Sequence, residues 1–293
     1  MIKNAKTNEE IFPNKDYKFP CFVLDSTLMS KTNELQMHWH QDLEIIKVLN
    51  GEVAYRINGY PYTVTAGDII IVNPKQVHTA RVLSEGPQLN KVLILSYNLL
   101  TNPLVESIQE NYLEPLTHEK FVFNNHIIKH THPKINELVD QMILLVDQKE
   151  PFFELALISC FYELIHYLFS NQLFFYNLAY QHKHELDSGF IARHVIEYIH
   201  GHHMKPLTLD SISKEMTVSK FYLCRLFKKA TGTTIANYLI HHRLTVAKRL
   251  LIDTKKSIST IGYDVGFNNP SYFVSKFKSL YGLTPKEFRM NHT

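Results

Sequence analysis

The chain has 293 residues, 45% of them hydrophobic and 20% charged, which is typical of a folded globular protein and excludes an intrinsically disordered one. No uncharged apolar run reaches the roughly 18 residues of a membrane-spanning helix, and the N-terminus has no signal-peptide core. Its three scattered cysteines argue against a disulfide framework and a cysteine-based zinc site. We therefore expect a reduced, cytoplasmic protein of two ordinary domains, without a membrane partner.

The net charge of +3 is unevenly distributed along the chain. Residues 187–293 contain 16 Lys and Arg against 7 Asp and Glu, a balance of +9. Residues 1–186 contain 15 against 21, a balance of −6. A basic C-terminal third on an acidic body indicates a polyanion-binding module joined to another domain.

Short strands separated by turn signals are predicted from residue 37 to residue 97. Asn50-Gly51 is a hairpin signal between strands at 44–49 and 53–57. Further strands are predicted at 62–65, 69–72 and 91–96. Short strands that follow one another about every ten residues, with turn signals between them, predict a small β-barrel or sandwich.

His38, His40 and Glu44 are separated by even numbers of residues, so one continuous strand would project all three from the same face. Their spacing resembles the first cupin motif, and the match continues at Gly51, Gly67, Pro74 and His78. The resemblance implies a β-barrel. In cupin enzymes the positions that match His38, His40, Glu44 and His78 bind a divalent metal.

Two positions depart from the cupin pattern, since Gln76 replaces a glycine and Val82 replaces an asparagine. We therefore expect no cofactor. We interpret the three histidines and Glu44, together with Tyr55, as contacts to one small molecule enclosed by the barrel. A divalent transition metal held by His38, His40, Glu44 and His78, in a metalloenzyme or a metal sensor, stays open as the alternative.

Two helices are predicted after the strands, the first following Pro133 and the second over residues 152–175. Apolar positions in both follow the helical period, and the second helix is apolar on more than one side. The predicted domains are the barrel at 1–130, a helical packing region at 131–180, a linker at 181–190 and the basic, polyanion-binding module at 191–293.

The C-terminal part repeats one motif at an interval of 49 to 50 residues. The matching pairs are Ser213 and Gly262, Leu223 and Phe273, Phe227 and Phe277, Lys228 and Lys278, and Gly232 and Gly282. Each copy predicts a capped helix, a tight turn and a second capped helix with basic side chains. The caps are Thr208, Ser219, Ser257 and Asn269. This is the arrangement of a helix-turn-helix motif.

The second copy closely resembles the signature of AraC/XylS-type transcriptional regulators, at Gly262, Val265-Gly266-Phe267, Tyr272-Phe273, Phe277-Lys278, Gly282, Thr284-Pro285 and Phe288-Arg289. The resemblance implies an α+β protein with a cupin-like barrel, flanking helices and an all-α domain with two helix-turn-helix motifs. It implies a homodimer that binds double-stranded DNA, responds to an effector and is not an enzyme. RNA polymerase is a further expected partner, and activation and repression both stay open.

The residues expected to face DNA lie on the second helix of each copy. In the first copy they are Ser219, Lys220, Phe221, Tyr222, Cys224, Arg225, Lys228 and Lys229; in the second they are Asn269, Ser271, Tyr272, Ser275, Lys276 and Lys278. Arg225 is the main candidate for reading a base, because its guanidinium matches guanine O6 and N7. Lysines are expected to meet phosphates. Since Ser275 matches Arg225, we expect the first copy to supply more specificity and the second more affinity.

His200, His202 and His203 end a helix predicted over residues 188–203. We interpret them as solvated imidazoles that oppose the helix dipole, rather than as metal ligands.

Overall fold

The computed structural model describes residues 2–3, 10–11, 19–29, 35–83, 87–100, 106–176 and 188–291. They fall mainly into two compact units, Asn8–Phe190 and Ile191–Thr293, called here the N-terminal and C-terminal units. The predicted α+β class is confirmed, with sheets in the first unit and helices in the second. Residues 181–187 of the predicted linker lie outside the described residues, whereas 188–190 begin a helix.

The larger sheet of the N-terminal unit has five antiparallel strands. A short pair, β1 (Ile2–Lys3) and β2 (Glu10–Ile11), precedes it. In spatial order the five are β12 (His126–Ile127), β8 (Ile69–Val72), β5 (Leu43–Val48), β10 (Pro87–Leu95) and β3 (Cys21–Met29). All of β8 is buried, because its two faces join different apolar clusters, one with the helices and one with the second sheet.

The second sheet has four antiparallel strands in the order β4 (Leu35–His38), β9 (His78–Val82), β6 (Glu52–Ile57) and β7 (Tyr60–Thr65). Asn58-Gly59 forms the two-residue hairpin between β6 and β7, and both residues have positive φ, 46° and 90°. This is the backbone of a type I′ turn, which Asn-Gly favours. Alternate residues of β6 are buried, so the sheet has one inward face.

The hairpin predicted at Asn50-Gly51 is wrong. β5 pairs with β8 and β10, whereas β6 pairs with β7 and β9, so the chain crosses between the sheets at this point. The glycine is required for another reason: it has φ +78°, and a Cβ would lie 1.6 Å from the Gln88 side chain. Asn50 Oδ1 accepts the Leu89 amide at 2.6 Å, which fixes the crossing against β10.

Helices cover the outer face of the five-stranded sheet. A 3₁₀ turn (Tyr97–Leu99), α1 (Glu106–Ile108), a π turn (Gln109–Leu113) and α2 (Glu114–Thr117) lead to a small pair, β11 (Phe121–Phe123) with β13 (Phe174–Tyr176). Along the chain, α3 (Pro133–Gln148) and α4 (Phe153–Ser170) come between β11 and β13. As the helical period of its apolar positions predicted, α3 has one buried face, formed by Ile135, Leu138, Val139, Met142, Ile143 and Val146.

The second helix is shorter than the predicted 152–175, because α4 ends at Ser170. Gln172 has φ +55° and turns the chain, so Phe174–Tyr176 leaves as strand β13. The length and composition of α4 would by themselves suit a membrane-spanning helix. However, one side of α4 is buried and packs with α3 in a shared apolar cluster, as the core helix of a folded domain does. The buried residues of α4 are Leu157, Cys160, Phe161, Leu164, Ile165 and Leu168.

Helices α5 to α11 form the C-terminal part: α5 (Ser188–His202), α6 (Leu209–Glu215), α7 (Lys220–Thr231), α8 (Ile235–Asp253), α9 (Ile258–Asp264), α10 (Pro270–Tyr281) and α11 (Pro285–Met290). The four predicted N-caps are confirmed, since Thr208, Ser219, Ser257 and Asn269 each accept a hydrogen bond from the amide three residues later. Glycines with positive φ, Gly232 and Gly282, end α7 and α10.

The repeat extends to the hydrogen bonds of the two turns. Thr217 and Gly266, 49 residues apart, both have positive φ, 55° and 95°. The next amide in each copy donates to the residue five positions earlier, Val218 to Ser213 and Phe267 to Gly262. Three large side chains of the two copies, Leu209, Tyr272 and Leu280, are exposed.

The interpretation of the histidines at the end of α5 as solvated is wrong for His200 and His203, which are buried. His200 Nε2 lies 2.9 Å from the Tyr238 hydroxyl, and its ring centroid lies 3.7 Å from that of His242 on α8. Burial, foremost, and nearby Arg243 lower the pKa of His203. These imidazoles therefore belong to the packing between α5 and α8.

Candidate functional site

Four polar side chains, His38, His40, Glu44 and His78, meet inside the N-terminal unit. Their nitrogen and oxygen donor atoms all lie within 4.8 Å of one another. All four side chains are buried. The structure thus brings together the whole group that the spacing singled out.

The convergence does not come from one continuous strand, as the spacing suggested. β4 ends at His38 and β5 begins at Leu43, and the two strands belong to different sheets. His38 and His78 are partners on neighbouring strands of the four-stranded sheet. Glu44 comes from the five-stranded sheet, and His40 from the segment that joins the two. The site is therefore built from both sheets.

Backbone carbonyls hold two of the imidazoles in defined orientations. His40 Nδ1 lies 2.9 Å from the Asp42 carbonyl oxygen, and His78 Nδ1 lies 2.9 Å from that of Gln76. Each Nδ1–H donates to its carbonyl, so the Nε2 atoms point to Glu44 Oε2 at 2.8 Å and 3.1 Å. The His78 Nε2 atom is buried, and its contact lies outside hydrogen-bonding geometry.

The surroundings of Glu44 favour the ionised form of its carboxyl. Burial alone would raise the pKa of its carboxyl, but the adjoining imidazoles of His40 and His78 hold that pKa well below its usual range. Tyr55 is also buried, and burial together with the Glu44 charge raises the pKa of its hydroxyl. The cluster thus presents one carboxylate and three imidazoles beside a neutral phenol.

The departure from the cupin pattern at Gln76 has a structural explanation. Its buried Oε1 accepts from the Asn73 amide at 2.9 Å, from Asn73 Nδ2 at 3.2 Å and from Asn125 Nδ2 at 2.6 Å. Asn73 also donates to the Phe123 carbonyl. The spacing gave no sign of the whole network, because Asn125 lies 49 residues after Gln76 in the sequence. Val82, the other departure, is buried in the core between the sheets.

On the first helix of the predicted DNA surface, α7, six of the eight candidate residues are exposed and two, Tyr222 and Cys224, are half-buried. Phe221 is 79% exposed at the start of the helix. The Arg225 guanidinium lies over the Tyr222 ring at 5.3 Å from its centroid. Lys220 Nζ lies 2.6 Å from Asp210 Oδ1, so this lysine is engaged with α6.

On the second helix, α10, all six candidate residues are exposed: Asn269, Ser271, Tyr272, Ser275, Lys276 and Lys278. Asn269 Oδ1 accepts the Tyr272 amide at 3.1 Å, so this side chain caps the helix. Lys276 Nζ lies 5.4 Å from the centroid of the Tyr272 ring. Tyr272 is the residue 50 positions after Tyr222. The two copies thus share a tyrosine ring with a cation over it, Arg225 in the first and Lys276 in the second.

Comparison with known proteins matches two parts of the chain to two different families. Residues 28–165 match the AraC-like ligand binding domain family, and residues 212–291 match a helix-turn-helix domain family. The chain is 24% identical over 287 residues, covering 96% of its length and 95% of the relative, to the uncharacterized HTH-type transcriptional regulator YdeC of Bacillus subtilis.

A second relative is the HTH-type transcriptional activator RhaS of Mannheimia succiniciproducens, 25% identical over 253 residues, or 86% of this chain and 88% of the relative. Among solved structures, ToxT from Vibrio cholerae aligns over 93% of this chain and 99% of its own, at 16% identity and a TM-score of 0.46. A ligand-binding region precedes a DNA-binding region in this chain. The protein is a ligand-responsive, DNA-binding transcriptional regulator of the AraC family.

Proposed function

We propose that α7 and α10 enter successive major grooves of one operator, with α8 as the spacer between them. The observation that carries this proposal is the repeated helix-turn-helix, with the same turn hydrogen bonds and caps in both copies. The 19 residues of α8 span about 28 Å at 1.5 Å per residue, and successive major grooves lie about 34 Å apart.

Within this interface Arg225 reads a base, and Lys228 and Lys229 bind phosphates. The exposure of all three supports these roles, as does the Tyr222 ring, which limits the orientations open to the Arg225 guanidinium. Ser275 takes the place of Arg225 in the second copy. The first helix therefore supplies more of the sequence specificity, and the second contributes mainly affinity.

The effector pocket surrounds His38, His40, Glu44 and His78, with Tyr55 beside them. Buried polar groups at one point inside an apolar unit support a ligand site, since each can orient one polar group of a small molecule. A sugar or a similar metabolite offers the hydroxyl groups for such contacts. The effector then changes the affinity of the regulator for DNA through differential binding to two states.

The regulator acts as a homodimer in the cytoplasm, without an enzymatic activity of its own, and activates transcription through RNA polymerase. Three apolar side chains at the turn between α3 and α4 support a dimer surface there: Leu144, Phe152 and Leu155 are exposed. Relatives named as transcriptional activators support the positive mode of control.

The test is selection of operators from a random duplex pool with the full-length protein, followed by binding measurements at several salt concentrations. We expect one recovered motif, and affinity that falls as salt rises, because each phosphate contact releases counterions. Replacing both Lys228 and Lys229 by alanine should lower the magnitude of the salt slope by about 1.8, at about 0.9 for each contact.

Lys129→Ala serves as the matched control, because this lysine lies in the N-terminal unit and is exposed. Its salt slope should equal that of the wild-type protein. Absence of duplex binding at low salt, or recovery of no motif, would contradict the proposed function.

A further inference from the structure

We propose that His200, His203 and His242 form an acid-sensitive contact between α5 and α8, which opens when the imidazoles take up protons and thereby weakens operator binding. These three residues are called the α5–α8 histidine cluster. Control by pH goes beyond the proposed function, and its effect on the operator rests on that function. The packing of the rings, the charge beside them and the backbone that they hold in place support this role.

The three imidazoles pack against one another. The ring centroids of His200 and His242 lie 3.7 Å apart, and those of His203 and His242 lie 4.6 Å apart. His200 and His203 are buried, as is the Nε2 atom of His242. His200 Nε2 also lies 2.9 Å from the Tyr238 hydroxyl. Positive charges this close together in a buried place repel one another, because little solvent screens them. The cluster therefore favours neutral rings.

The groups around the cluster oppose protonation as well. Burial, foremost, and the Arg243 charge on α8 lower the pKa of the His203 imidazole, although its hydrogen bond to the His200 carbonyl favours the charged form. The turn between α9 and α10 contributes the carboxylate of Asp264, which is paired with Lys256 at 2.8 Å. The charge that acts on His203 is thus the guanidinium of Arg243.

The cluster lies where the end of α5 is fixed to α8 and to the second helix-turn-helix. Arg243 Nε donates to the His203 carbonyl at 2.8 Å, and Arg243 Nη2 donates to the Lys205 carbonyl at 2.9 Å. The same His203 carbonyl faces Gly266 in the second turn, where a Cβ would lie 2.4 Å away. A displacement of His203 therefore reaches both α8 and the turn that precedes α10.

The direction of the pH effect follows from proton linkage. A histidine with a lowered folded-state pKa gives stability that is complete above the unfolded value near 6.5 and is lost as pH falls toward the folded value. Each imidazole that takes up its proton only when α5 leaves α8 favours the open state by up to about tenfold per pH unit. Acid therefore opens the contact, and the second turn loses its support.

Hydrogen exchange of the full-length protein, followed by mass spectrometry at pH 7.5, 6.5 and 5.5, measures the opening of α5. Peptides from Ser188–His202 report on this helix. After correction for the intrinsic exchange rate, their protection should fall by about tenfold between pH 6.5 and pH 5.5, because opening is then coupled to at least one proton. Protection should be constant between pH 7.5 and pH 6.5 to within about twofold.

His203→Gln and His242→Gln each replace one imidazole by a neutral amide. In each variant the loss of α5 protection between pH 6.5 and pH 5.5 should be at least about threefold smaller than in the wild type, because one proton is removed from the linkage. Circular dichroism at pH 7.5 shows whether each variant is folded. His166→Gln is the matched control, because His166 is exposed on α4 and should leave the pH dependence of α5 unchanged.

Operator binding is measured with the duplex recovered by operator selection, at constant ionic strength. From pH 6.5 to pH 5.5, the affinity of the wild-type protein should fall by about tenfold relative to that of folded His203→Gln. Equal pH dependence of operator affinity in the two proteins would overturn the proposed control of DNA binding.

The acid-sensitive contact itself is overturned if α5 keeps its protection at pH 5.5, or if folded His203→Gln and His242→Gln proteins lose it as the wild type does. Hydrogen exchange needs no operator, so the two proposals fail separately. Recovery of no motif rejects the proposed operator recognition, whereas pH-independent exchange of α5 rejects the histidine contact and leaves the regulator intact.

Discussion

At the scale of single residues, the proposed functional asymmetry between the two copies depends on one position. Arg225 lies on the exposed face of α7 and over the Tyr222 ring, whereas Ser275 takes the corresponding place on α10. A guanidinium can donate two parallel hydrogen bonds to guanine, but a serine hydroxyl cannot. This difference supports the assignment of specificity to the first copy.

Arg225→Lys should relax the preference at one operator base pair by about 1–3 kcal/mol, because lysine keeps the charge and loses the bidentate geometry. Competition binding against each of the three substituted operators measures the effect. Ser275→Ala is the matched control and should change the preference by less than about 0.5 kcal/mol. An unchanged base preference in Arg225→Lys would assign this residue to the phosphates.

Gln76→Ala should destabilise the protein by about 2–4 kcal/mol, because the Asn73 amide and Asn125 Nδ2 lose a buried acceptor. Urea unfolding followed by circular dichroism measures the change. Gln141→Ala, an exposed glutamine on α3, should stay within about 0.5 kcal/mol of the wild type. Equal stability of the two variants would mean that water replaces the glutamine oxygen.

Asp68 should make stability depend on pH. Burial would raise the pKa of its carboxyl, but the amides of Lys129 and Thr65 and nearby His126 lower it. A lowered folded-state pKa gives stability that is complete above the unfolded value near 3.9 and is lost as pH falls through the folded value. The stability difference between wild type and Asp68→Asn should therefore be constant from pH 7 to about 5 and narrow below about 4.

Urea unfolding of both proteins between pH 7 and 3.5 provides this measurement. A difference that widens toward acid would contradict the assigned direction of the pKa.

At the scale of elements, the two helix-turn-helix copies form the same turn with different residues. Both turns need a left-handed residue, which is Thr217 in the first and Gly266 in the second. A β-branched residue with positive φ is strained, whereas glycine adopts this conformation readily. In the second turn a Cβ would also lie 2.4 Å from the His203 carbonyl oxygen.

Thr217→Asn should therefore stabilise the C-terminal unit by about 0.5–1 kcal/mol, because asparagine tolerates the left-handed region better than threonine. Gly266→Ala should destabilise it by more than about 2 kcal/mol, since both the backbone strain and the clash oppose the methyl group. Denaturant unfolding of the two variants measures both changes in the free energy of unfolding. A stabilised Gly266→Ala protein would mean that the two turns do not share the conformation described.

At the scale of the whole molecule, each unit has apolar clusters of its own. One cluster joins the five-stranded sheet to α3 and α4, another lies between the sheets, and a third unites α8 to α11. Separate cores allow a ligand to stabilise one unit without altering the packing inside the other. In the proposed mechanism, communication between effector and operator depends on states of the whole chain.

A fragment of residues 188–293 should consequently fold alone, with helical circular dichroism, and should bind the selected operator. In the full-length protein, thermal unfolding should show two transitions, of which one has the midpoint of the fragment. A fragment without helical signal would show that the C-terminal unit depends on the rest of the chain.

The sequence by itself determined the features that depend on neighbouring residues. Thr208, Ser219, Ser257 and Asn269 were identified as caps because a side-chain oxygen reaches an amide three residues away in any context. The repeat at 49 to 50 residues, the buried face of α3 and the exposed side of α7 were predictable for the same reason. Each is a local pattern of period or spacing.

Tertiary structure alone decided the features that depend on distant partners. The assignment of β5 and β6 to different sheets, the convergence of His38, Glu44 and His78 from two sheets, and the burial of His200 all follow from contacts across the fold. The local sequence does not show which faces of distant helices and strands contact each other, because burial depends on how whole elements pack. The spacing therefore singled out His38, His40, Glu44 and His78, and the packing of the two sheets gave this buried cluster its geometry.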